Sequence, residues 1–175
     1  MNLKKIVMDA VEIFKLNEKT IKSVSASKDA FTAGALILVI AGIASAIGSF
    51  NLTGIIANPI MLFIGSFIWV GILYLFAWLF GGKGSYMEYW KPLSHSAIVS
   101  WISVIPFIGA VIAGILGLWN IVVAVKVTQI VHKLSLGKSI AVVLIPILIL
   151  IAIAILLVLV VGAAIFAALA GGMMQ

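Results

Sequence analysis

The chain has 175 residues, of which 65% are hydrophobic and only 9% charged, with a net charge of +6. That composition holds too little polar surface to cover a water-soluble fold, so the chain reads as an integral membrane protein; its length admits several spans of ~20 residues and a short tail, and excludes a second domain. All eleven basic residues are lysines, which removes the bidentate guanidinium clamp of phosphate recognition, so the charge points to anionic lipid headgroups and not to nucleic acid. The absence of cysteine excludes disulfides, iron–sulfur ligation and thiolate zinc sites.

At the N-terminus, Leu3, Ile6, Val7, Ala10, Val11 and Phe14 recur at helical spacing, with Lys4, Lys5, Asp9, Glu12 and Lys15 on the rest of the wheel. The segment is too charged to span and lacks a small-residue cleavage site behind an apolar core, so it is not read as a signal peptide. An amphipathic helix lying in the membrane interface is expected, the alternative being a cytosolic helix packed on the protein's own loops. Residues 17–29 are polar, with Ser23, Ser25 and Ser27 alternating, and are expected to form a linker or a lead-in turn. The chain thus divides into a cytoplasmic amphipathic segment, 1–29, and a transmembrane domain, 30–175.

The first span is expected over residues 30 to 47 or 50, where no charge interrupts and Gly34, Ala41, Gly42, Ala44, Ala46 and Gly48 permit close helix approach. Gly42 and Ala46 form a small-xxx-small pair, to which no dimerisation meaning attaches. After an uncharged connection, Pro59 suits the first turn of a second span over residues 60–80, with Trp78 and Phe80 as an aromatic belt at its end. The loop 81–92 carries Lys83, Lys91 and the aromatics Tyr86, Tyr89 and Trp90, the mixture favoured at headgroups. A third span follows over residues 92 to about 107, with Pro106 one turn from its end or ending it. The fourth runs to about Val131, with Lys126 able to snorkel to the interface. The fifth apolar run, 139–169, exceeds what a bilayer needs, so Pro146 or Gly162 bends it, or it tilts or protrudes.

The fold class is therefore an all-α polytopic membrane bundle of five transmembrane helices with an N-terminal amphipathic interfacial helix. Lysines precede span one, lie between spans two and three, and flank the turn between spans four and five; the other connections and the tail 171–175 carry none. With five spans these segments alternate, which places the N-terminus in the cytoplasm and the C-terminus outside the cell membrane.

The Leu79-Phe80-Gly81-Gly82-Lys83-Gly84-Ser85-Tyr86 exit from span two, the Ile105-Pro106-Phe107-Ile108-Gly109 turn, Trp119 and the Leu134-Ser135-Leu136-Gly137-Lys138-Ser139-Ile140-Ala141 loop before a proline-containing last span resemble the Yip1-domain membrane proteins. The resemblance covers nearly all of the chain from Ala30 onward and implies five spans and a cytoplasmic N-terminus. The chain departs from the eukaryotic trafficking branch in lacking its Asp-Leu-Tyr-Gly-Pro motif and long N-terminal extension, a departure that argues against Rab-type GTPase binding and for a prokaryotic-type member.

Catalytic constellations are missing. Asp9, Glu12, Glu18, Asp29 and Glu88 all fall in cytoplasmic segments, so no intramembrane carboxylate pair serves acid/base or metal work. His95 and His132 stand as single imidazoles in different loops, without the spacing that would make them, with Glu88, a metal site. No cofactor and no enzymatic activity is expected. Gly81-Gly82-Lys83-Gly84-Ser85 lacks the phosphate-loop spacing and reads as a flexible linker. The favoured function is a non-enzymatic membrane scaffold or trafficking-type protein, contacting anionic lipid, a membrane or cytoplasmic protein partner, or a second copy of itself. The contact residues are Lys4, Lys5, Ile6, Phe14, Lys83, Tyr86, Lys91, Lys133 and Lys138. A small transporter or channel is the alternative, with Ser45, Ser66, Ser100, Ser103 and Asn120 as its mid-membrane polar groups and Pro106 and Pro146 as helix breaks.

Overall fold

The computed structural model describes residues 2–172 and, among these, shows helices joined by short turns and no strand. Seven α-helices, α1 (Leu3–Phe14), α2 (Glu18–Ala26), α3 (Ala30–Gly48), α4 (Gly54–Leu79), α5 (Tyr86–Ser96), α6 (Gly109–His132) and α7 (Leu136–Gly172), are accompanied by a 3₁₀-helix, Ala97–Val104, between α5 and α6. The chain forms two compact units, Met1–Val143 and Leu144–Gln175.

In the first unit, α1 begins where the Asn2 side chain accepts from the Lys4 and Lys5 amides, and α2 where Asn17 accepts from Lys19 and Thr20. The linker expected at residues 17–29 is therefore mostly a helix. Its Ile21 and Val24, three apart, are buried against Tyr89, Trp90, Val123 and Val127, and that burial outweighs the poor helix propensity of the serines. The first helix packs on its own chain. Ile6 and Ala10 meet Ala33 and Ile37 of α3, while Ile13 joins the larger core. Leu3, Met8 and Val11 are left exposed beside Lys4 and Lys15.

Four helices, α3, α4, α6 and α7, are long and apolar enough to cross a membrane. Of the expected spans only the third is not one such helix. Its residues are shared between α5, which starts earlier than expected because Ser85 and Glu88 form a capping box, and the 3₁₀-helix. Eleven α-helical residues and eight 3₁₀ residues rise by roughly 16 Å each, about the ~30 Å of a hydrocarbon core in total. The ends confirm that this segment runs from one end of the unit to the other. At one end Phe50, after α3, lies 6.0 Å from Phe107, before α6. At the opposite end the Lys83 amide donates to His132 O at 3.2 Å and Lys138 Nζ to Phe80 O at 3.1 Å, which gathers the exit of α4, the end of α6 and the start of α7.

Close approach of α3 to its neighbours explains its small residues. A Cβ on Gly34 would overlap Ser94 Oγ, one on Gly42 the Pro59 nitrogen, and one on Gly48 the carbonyl of Ser103. Pro59 is the sixth residue of α4, one turn further in than expected, and its missing N–H faces this tight contact. The small-xxx-small pair of α3 is thus spent inside the chain. An aromatic cluster of Phe31, Phe63, Phe67 and Trp90 fills the next layer, with Phe67 and Trp90 stacked at 4.8 Å.

Burial along α6 divides it into halves. Val111, Ile115, Leu118 and Val122 are exposed apolar groups, whereas Val123, Val127, Thr128, Val131 and His132 are buried beneath α2 and α5. Among the described residues the second unit is the rest of α7, apolar around its circumference and exposed from Leu148 to Ile165, a surface that only lipid or other apolar groups can cover. The helix continues through both Pro146 and Gly162.

Candidate lysine-rich binding face

The lysines of α2, of the α4–α5 turn and of α6 converge at the end where α4 and α6 finish. Lys133 takes a left-handed conformation (φ 55°) that ends α6, and the Lys83 amide satisfies the carbonyl just before it. This junction needs Gly82: a Cβ there would lie 2.8 Å from both Ala77 O and His132 Nδ1. Beside it, a recess of about 360 Å³ is lined by Lys22, Lys83, Lys133, Ser25 and Glu88. A second recess of about 350 Å³ shares Lys22 and Lys133 and adds Lys126, Gln129 and Glu18. Lys22, Lys83 and Lys133 make no ion pair among the described residues.

Two carboxylates border this face and both are already engaged. Glu88 accepts from the Ser85 amide at 2.8 Å, closing the capping box that starts α5. Glu18 pairs with Lys126 Nζ at 2.5 Å, and that lysine holds its carboxyl below the usual range. Glu18 is paired with Lys126, and the single Glu88 carboxylate, turned to Ser85, is outnumbered by Lys22, Lys83 and Lys133, so the face presents net positive charge to an anion.

The other expected contact residues lie elsewhere. Lys91 Nζ donates to Ser25 O at 3.1 Å, tying α5 to α2, and Lys138 caps the end of α4. Tyr86 turns inward, its hydroxyl donating to Phe67 O at 2.8 Å. Ile6 is 5% exposed. Phe14 is half-buried against Trp119, whose indole N–H donates to Phe14 O at 2.8 Å. Lys4 is exposed, and Lys5 lines a separate cavity of about 140 Å³ with Asp9, Asp29 and His95.

Tyr89 and Trp90 do not belong to an aromatic belt: both are fully buried, with Tyr89 Oη 2.6 Å from Thr128 Oγ1 and Trp90 Nε1 donating to Ser66 Oγ at 3.0 Å. His95 and His132 sit on helices and not in loops, each 1% exposed. His95 Nδ1 donates to Lys91 O at 2.7 Å, while both nitrogens of His132 lack partners and its ring meets Tyr89 edge-on at 4.6 Å. No group of three or more histidine, cysteine or acidic side chains suited to a metal occurs among the described residues.

Serial apolar helices that lipid must cover, joined by short turns that gather lysines at one end, define a polytopic α-helical membrane protein. The family model for the Yip1 domain matches residues 19–159, and the chain belongs to that family. The match begins within α2, so that helix is part of the family domain. No curated protein and no solved structure matches the chain.

Proposed function

We propose that the chain is a non-enzymatic, five-crossing membrane scaffold whose lysine end faces the cytoplasm and engages anionic headgroups, or an acidic patch on a partner, through Lys22, Lys83 and Lys133. The observation that carries this reading is the convergence of those three lysines, from α2, the α4–α5 turn and the cap just after α6, on one recess, none of them forming an ion pair among the described residues. Lys4 and Lys15 beside the exposed Leu3, Met8 and Val11 add an amphipathic strip that suits the headgroup boundary.

The test is binding of the purified full chain to short-chain anionic and zwitterionic lipids in mild detergent. Each lysine near an anionic surface contributes about 1 kcal/mol, so Lys22→Gln, Lys83→Gln and Lys133→Gln together weaken anionic-lipid binding on the order of 100-fold. Raising salt weakens the wild type more than the triple variant, which keeps Lys4 and Lys15 at the headgroup boundary. Equal affinity for both lipid classes in the wild type contradicts the reading.

A further inference from the structure

A second polar feature lies away from the lysine face. A cavity of about 210 Å³ between α3, α4, α5, the 3₁₀-helix and α6 is lined in part by Ser66, Ser94, Ser96, Ser100, Asn120 and Trp69. It unites three of the five mid-membrane polar residues singled out in the sequence, whereas Ser45 and Ser103 line another cavity with Phe50 and Phe107. Asn120 stands eleven residues after Gly109 and twelve before His132, roughly 17 Å along the helix from either end of α6.

The hydrogen-bonding capacity of this lining is only partly used. Ser94 Oγ donates to Lys91 O and Ser96 Oγ to Leu93 O, each at 2.8 Å, which leaves their lone pairs as acceptors. Ser66 is committed on both sides, donating to Phe63 O and accepting from Trp90. Asn120 Oδ1 is buried and has no hydrogen-bond partner. A polar atom left alone at such a depth calls for a partner that the chain does not supply. The switch from α to 3₁₀ geometry falls on the cavity wall, at Ser96 and Ala97, and eight residues is a long run for that conformation.

No lining residue is charged, so the cavity favours an uncharged occupant. Free acceptors on Ser94, Ser96 and Asn120, with the donors of the Asn120 amide and the Ser100 hydroxyl, match small neutral groups that both donate and accept, of which a hydroxyl is the most compact on an organic molecule. The volume exceeds the ~150 Å³ of an apolar cavity that admits benzene, leaving room for roughly eight non-hydrogen atoms. We propose that this cavity binds a small uncharged molecule bearing two hydroxyl groups, held by the Asn120 amide and the side chains of Ser94, Ser96 and Ser100. The proposal does not depend on the lysine face.

The experiment is saturation-transfer NMR on the full chain in lipid nanodiscs, with 1,2-hexanediol as probe and 1,2-dimethoxybutane as the size-matched analogue without hydroxyl protons. The diol binds saturably and the ether does not; Asn120→Leu weakens diol binding at least tenfold and Ser100→Ala at least threefold, with thermal unfolding confirming that each variant is folded. Should Asn120→Leu not fold, Ser100→Ala carries the test alone. Equal signals from diol and ether, affinities unchanged by both substitutions, or no saturable binding of either probe, as in a cavity filled by water alone, would overturn the proposal. Lys22→Gln, Lys83→Gln and Lys133→Gln leave diol binding unchanged, so the two sites fail or survive separately.

Discussion

Gly42 and Ser85 show how single side chains set this architecture. The α3 backbone meets Pro59 only because residue 42 has no Cβ, so Gly42→Leu forces the helices apart. Overpacking of this kind costs about 1–3 kcal/mol, visible as a lower thermal midpoint in detergent, and an unchanged midpoint would remove Gly42 from the packing account. Ser85 starts α5 through its capping box with Glu88, and Ser85→Ala costs about 1 kcal/mol by the same measurement.

Among the elements, the apolar helices were legible because uninterrupted hydrophobic length is a strong signal, and α3, α4, α6 and α7 lie where charge-free runs place them. The Ser-Tyr-Met-Glu signature that begins α5 was also present in the sequence, but glycines and aromatics around it suggested a headgroup loop. What could not be read was which face of α5 turned inward: Tyr89 and Trp90 satisfy their polar atoms through Thr128 and Ser66, residues 39 and 24 positions away, and local spacing carries no trace of such pairings. The 3₁₀ segment left no local signature either. Helix α1 illustrates the same limit, since periodicity revealed its apolar face but not whether lipid or protein covered it. Ile6, Ala10 and Ile13 are covered by protein, so Ile6→Glu buries an unpaired charge in addition to losing ~1.5–3 kcal/mol of side-chain burial. We expect Ile6→Glu to expose α1 to limited proteolysis, whereas Leu3→Glu, at an exposed position, leaves the digestion pattern intact.

For the whole molecule, the lysine face became visible only in three dimensions. Lys22, Lys83 and Lys133 are far apart in sequence, and each looked like an ordinary flanking charge until α2 folded back onto α5 and α6. The charge alternation that predicts five crossings needs the segment 86–104 to traverse the membrane, although its two helical pieces are individually too short. The chain has no cysteine, so single introduced cysteines report sidedness without background. The decisive measurement is labelling of Lys83→Cys, Phe107→Cys and Gln175→Cys in intact cells with a membrane-impermeant maleimide. The account predicts that Phe107→Cys and Gln175→Cys react from outside and that Lys83→Cys reacts only after the membrane is opened; labelling of Lys83→Cys and Phe107→Cys from the same side would contradict it.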